Sequence, residues 1–177
     1  VGTLYLDGDT DASSTQDSVN AVQFGTNLTL TTKTWMTLQS TTGGSVGMHE
    51  LTLRAGAGVA ILSDIASVPG STPLVIDADF ESEGDGTLTV WTGRTVTSNK
   101  SDVTITAWDV DLDGSLTAGT KTVSVHGSKL AQTIGLGSTS RDMHVDGAEL
   151  QRLSVDNGLH MGSLTGGGQI IRAISES

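Results

Sequence analysis

Apolar and polar residues alternate along this chain in short bursts. Leu28-Thr-Leu30, Leu51-Thr-Leu53, Leu74-Val-Ile76, Val103-Thr-Ile105, Thr133-Ile-Gly-Leu136 and Leu159-His-Met161 each begin with apolar or β-branched side chains spaced for one strand face. A period of two puts those side chains on one side of an extended strand and the residue between them on the other. The bursts start 23, 23, 29, 30 and 26 residues apart, and Leu4-Tyr5-Leu6 lies 24 residues before the first. A degenerate period in the twenties is what a solenoid coil leaves in a sequence, because the apolar face of one coil is buried only when the next covers it. The expectation is an all-β fold, a parallel β-helix of roughly six to seven coils. A β-sandwich, which also has a strand about every 8 to 12 residues, is the alternative.

The pattern is densest from Gln132 to Ile174. Thr133 to Gly137, Met143 to Val145, Leu153 to Val155, Leu159 to Met161 and Gln169 to Arg172 are strand-sized, and Gly, Asp, Ser and Asn fill the connectors. Those connectors suit turns and are too short for crossover helices. Only Gly147 to Leu153, with Ala148, Leu150 and Leu153, spaces apolar residues for a turn or two of helix. Ser67 to Pro73 holds both prolines and reads as a loop. Asp77, Asp79, Glu81, Glu83 and Asp85 all fall at odd positions. In a strand they would share one face, which must be wet, since burying unpaired carboxylates costs several kcal/mol.

Composition narrows the class. The 177 residues allow one domain with a real core; aromatics are only 3%, Gly is 23 residues and Ser plus Thr make up about a quarter. No apolar run is long enough to span a bilayer. The polar composition and short apolar runs make membrane insertion unexpected, and a net charge of −11, which repels phosphate backbones, makes nucleic-acid binding unexpected. The absence of Cys removes disulfides, thiolate metal sites and cysteine nucleophiles. The chain opens at Val1 as though cut from something longer, which predicts that residues 1–177 are a single solenoid segment of a longer repetitive protein.

Candidate chemistry is sparse. Asp7, Asp9 and Asp11 alternate in a way that suits a hard cation, making Ca²⁺ the one candidate cofactor, although Ser18 stands where an EF-hand places its bidentate Glu. Asp109, Asp111, Asp113 and Gly114 repeat that opening, but Trp108, Val110 and Leu112 alternate with them and favour a strand. Two sequons, Asn27-Leu-Thr29 and Asn99-Lys-Ser101, adjoin turns and are candidate N-glycosylation sites. His49, His126, His144 and His160 form no close ligand pair, and no Gly-x-Ser-x-Gly elbow is present.

Gln132-Thr-Ile-Gly-Leu-Gly137, Ala148-Glu-Leu-Gln-Arg-Leu153 and Gly158-Leu-His-Met-Gly162 resemble repeats of large secreted and surface proteins, the filamentous-haemagglutinin-like adhesins, over residues 132–174. That resemblance implies a right-handed parallel β-helix with a structural or adhesive role, and no catalytic residues.

The expected function is therefore a non-enzymatic module of an extracellular or cell-surface glycoprotein. It would carry N-linked glycans and stack end to end with identical subunits or neighbouring repeats. A carbohydrate-active β-helix enzyme is one alternative, with carboxylates available but few aromatic platforms. An ice- or crystal-binding face is another, suggested by Thr29, Thr52 and Thr104 in equivalent slots and interrupted at Val75 and His160.

Overall fold

Each apolar pair stacks on its counterpart one coil later. The computed structural model describes residues 2–8, 22–40, 45–48, 50–67, 73–162 and 170–172. After β1 (Leu4–Asp7), the first full coil is β2 (Leu28–Thr32), β3 (Trp35–Gln39) and β4 (Ser45–Met48). The second is β5 (Leu51–Ala55), β6 (Gly58–Ile61) and β7 (Asp64–Ser67), and the third β8 (Leu74–Asp77), β9 (Thr87–Val90) and β10 (Thr95–Thr97). The fourth is β11 (Val103–Ala107), β12 (Asp109–Leu112) and β13 (Ser115–Gly119). The fifth runs through β14 (Thr122–Gly127), β15 (Thr133–Leu136), β16 (Met143–Val145), α1 (Gly147–Gln151) and β17 (Leu153–Val155), and β18 (Gly158–Met161) and β19 (Ile170–Arg172) follow.

All pairings are parallel, as successive windings of one coil require. One face is the six-stranded sheet β2-β5-β8-β11-β14-β18, the second β1-β3-β6-β9-β12 and the third β4-β7-β10-β13-β17; a small sheet β16-β15-β19 completes the set. The protein is thus an all-β parallel β-helix, not a sandwich. Register is held from coil to coil: Leu30 pairs with Leu53, Leu53 with Ile76, Ile76 with Ile105 and Ile105 with Val125. Met36, Val59, Leu88 and Val110 form a matching column on the second face.

These columns are the core. Leu53, Ile76, Ile105, Leu38, Ile61 and Leu88 are completely buried, each contributing about 1.5–3 kcal/mol relative to exposure. The third face supplies Ile65, Val96 and Leu116. At one interior corner Ser63 Oγ donates to the Ser40 carbonyl at 2.9 Å and accepts the Ser40 N–H at 2.5 Å, so a polar pair is buried fully satisfied.

Two expectations need correction. In the first-face column Val103 is followed by Val123, not by Thr133; β15 belongs to the small sheet. The chain leaves the regular winding there. β15 pairs with β16, which follows it within a few residues, and with β19; β16 lies back against β12. Finally, the odd-numbered carboxylates do not share a wet strand face. The strand ends at Asp77, and Asp79 is 1% exposed. Its carboxylate accepts the Glu83 N–H at 3.2 Å, the Gly84 N–H at 2.9 Å and the Ser128 hydroxyl. A turn that needs its own backbone donors satisfied overrides strand alternation here.

Candidate functional site

The residues singled out in the sequence are dispersed over the winding. Asp7 closes β1, where the Tyr5 hydroxyl donates to its Oδ2 at 3.2 Å. Asp9 and Asp11 lie outside the described residues. Among the described residues no group of three or more His, Asp or Glu is placed to hold a metal ion. Asp109, Asp111 and Asp113 lie along and just past strand β12, with Val110 and Leu112 buried between them, so the strand reading holds. Asp111 titrates high because of partial desolvation and the like charges of Asp113 and Asp109. His144 lies between buried Met143 and Val145 in the small sheet, while His160 is exposed on the first face.

Both sequon asparagines occupy turns ahead of strands. Asn27 has φ of +56° and Asn99 of +55°, a left-handed conformation that Asn tolerates better than most residues, so the turn itself favours Asn at both positions. Asn27 is exposed. Asn99 is not free: its Nδ2 donates to the Ser67 carbonyl at 2.7 Å.

Stacking brings together a second set that the sequence does not display. The corner between β9 and β10 turns through Trp91 to Arg94, where the Arg94 N–H donates to the Trp91 carbonyl at 3.0 Å and Gly93 takes φ of +73°. The next corner, Asp113-Gly114, sits directly on it. A Cβ on Gly114 would fall 2.4 Å from the Arg94 carbonyl oxygen and 2.5 Å from that of Trp91, so only glycine allows this approach. One coil further, Arg152 follows α1 and leads into β17.

Between these three corners lies an open groove of about 260 Å³, lined by Arg94, Thr95, Asp113, Ser115 and Arg152. The Thr95 and Ser115 hydroxyls, in register on neighbouring strands, are 3.1 Å apart and share a hydrogen bond. Arg152 Nη1 donates to the Leu112 carbonyl at 2.5 Å and stands 3.9 Å from Asp113 Oδ1. The Arg94 guanidinium has no hydrogen bond or ion pair among the described residues. Below the groove, Asp64 Oδ1 accepts the Thr95 N–H at 2.8 Å. The groove therefore presents hydroxyls, an unpaired cation and an exposed carboxylate, a set able to hydrogen-bond a polyhydroxylated ligand in both senses.

On the second face Tyr5 and Trp35 are also exposed. The Trp35 ring covers Gly58, where a Cβ would lie 2.6 Å from Cζ3. Phe80 is stacked under the Arg54 guanidinium at 5.0 Å, and Trp108 lies under Lys129 Nζ at 5.7 Å. Trp91, 57% exposed, has no such cation over its ring among the described residues.

No family model matches the chain, and comparison with curated proteins and with solved structures finds no significant match.

Proposed function

We propose that this chain is a non-enzymatic structural and adhesive segment of an extracellular or cell-surface glycoprotein, stacking end to end with copies of itself or with neighbouring repeats. The reading rests above all on the ladder: six strands of the first face stay in parallel register, each coil covering the apolar column of the one before. Such an array carries load along its axis and leaves its flanks for contact. Outward positions of that face run Thr29, Thr52, Val75, Thr104, Ser124 and His160, mostly small and hydroxylated.

Support for stacking comes from the sheet ends. Among the described residues β1, β2 and β4 at one end and β17 and β18 at the other have a strand partner on one side only. Unpaired strand edges favour addition of a further strand. The test is sedimentation velocity across a concentration series, with negative-stain imaging of the most concentrated sample. Rods lengthening in whole multiples of one segment are expected. A compact monomer at every concentration would overturn the stacking.

A further inference from the structure

We infer that the groove between Arg94 and Arg152 binds a neutral pyranose unit of a polysaccharide. This specifies the ligand of the adhesive role proposed above and rests on that reading for its biological meaning, but the site and its test are independent of end-to-end stacking.

Three observations carry it. The first is an exposed tryptophan in the same turn that brings Arg94 to the groove. Trp91 and Arg94 are the two ends of one tight turn, joined by a 3.0 Å backbone hydrogen bond, and Trp91 is 57% exposed. A pyranose has an apolar C–H face that stacks on such a ring and a rim of hydroxyls that needs polar partners. The second is the partner set. Arg94 offers a planar fork of donors that makes no hydrogen bond or ion pair among the described residues, Asp113 a carboxylate that is 58% exposed, and Thr95 and Ser115 a pair of hydroxyls that can donate or accept. Vicinal sugar hydroxyls suit that combination, because each can donate to a carboxylate and accept from a guanidinium.

The third is charge and size. Arg94 and Arg152 are balanced by Asp113 in the groove and by Asp64 bonded to Thr95 beneath it, and the chain as a whole carries −11. Nothing local outweighs the long-range repulsion of a polyanion, which favours an uncharged sugar over a carboxylated or sulfated one. A volume of about 260 Å³ falls below the roughly 300–1,000 Å³ of pockets that enclose larger ligands. One ring fits, with the polymer continuing outside.

The experiment is affinity electrophoresis in native gels cast with dextran, laminarin or galactomannan as neutral polymers and with polygalacturonate or dextran sulfate as anionic ones. Retardation in at least one neutral gel is expected. Trp91→Ala and Arg94→Ala should each weaken it about tenfold or more, while Trp35→Ala, on the same face but remote from the groove, should leave it unchanged. Matching thermal melts would establish that the variants fold. No retardation in any neutral gel, retardation only in the anionic gels, or retardation insensitive to Trp91 and Arg94 would each overturn the proposal. All three outcomes leave the stacking result untouched.

Discussion

Glu149 Oε1 accepts the backbone N–H of Leu112 at 3.0 Å, so a side chain from α1 closes the outer edge of strand β12. The same strand is met at its other end by the His144 N–H, which donates to Asp109 Oδ1 at 3.0 Å, and the Leu112 carbonyl is taken by Arg152. Side chains thus stand in for a strand ladder where the regular winding is interrupted. Glu149 also serves its own helix, because its Oε2 accepts the Asp146 N–H at 2.8 Å in a reciprocal capping box.

Glu149 therefore joins the cap of α1 to the end of the second face, and its removal leaves two donors without acceptors. Glu149→Ala is expected to cost about 2–4 kcal/mol in urea unfolding, and Glu149→Gln, which keeps one acceptor, about half of that. Hydrogen exchange provides the local readout. The Leu112 amide should lose protection in Glu149→Ala while the Val110 amide, on the same strand, changes far less.

Much of this architecture can be read from alternation and period alone, since Leu30, Leu53 and Ile105 recur in phase and each must find a like neighbour. The fifth coil escapes that reading for a physical reason. Val123 lies only a short turn past β13, whereas Thr133-Ile-Gly-Leu136 copies the apolar phrase in a strand that belongs to a different sheet. Asp79 escapes because its burial is dictated by backbone donors of the turn after it, which a strand period does not register. The groove is less legible still. Arg94, Asp113 and Arg152 come from three coils and meet only through stacking, and their one local sign is the glycine at each of the first two corners.

Titration should reveal opposing groups. Burial pushes the Asp77 carboxyl up, with Arg54 partly pulling it back, and burial likewise raises Glu149 against the hydrogen bonds from Leu112 and Asp146. A carboxyl raised in the folded state favours folding most when protonated, and that contribution is lost as pH rises through its folded value. Asp142 and Asp146 are held low by hydrogen bonds from Thr133 and from the Glu149 and Ala148 amides. Their contribution is present above the ordinary carboxylate range and is lost as pH falls through their folded values. With −11 of self-repulsion also relieved on acidification, the melting temperature should rise from pH 7.5 to about pH 5 and fall below about pH 3.5. Asp77 Oδ1 is buried with no hydrogen-bond partner among the described residues, so Asp77→Asn should raise the melting temperature at pH 7.5 and not at pH 4. Solvent around this partly exposed side chain limits the gain to below about 1 kcal/mol, under about 4 °C for a chain of this size.

The two sequons should behave differently when the chain is secreted from a eukaryotic host. Asn27 is exposed in its turn, and a glycan on it leaves every interaction of the described fold in place. At Asn99 the same Nδ2 that would carry the sugar already donates to the Ser67 carbonyl at 2.7 Å. A glycan there crowds that hydrogen bond, worth about 1 kcal/mol, and disturbs the turn between β10 and β11. Folded, secreted material is expected to carry sugar at Asn27 and little or none at Asn99. Peptide mapping before and after enzymatic deglycosylation, with Asn27→Gln and Asn99→Gln as references, measures the two occupancies directly. Asn27→Gln should remove nearly the whole mobility shift of the secreted protein; equal occupancy with unchanged thermal stability would mean that the Ser67 contact does not restrain Asn99.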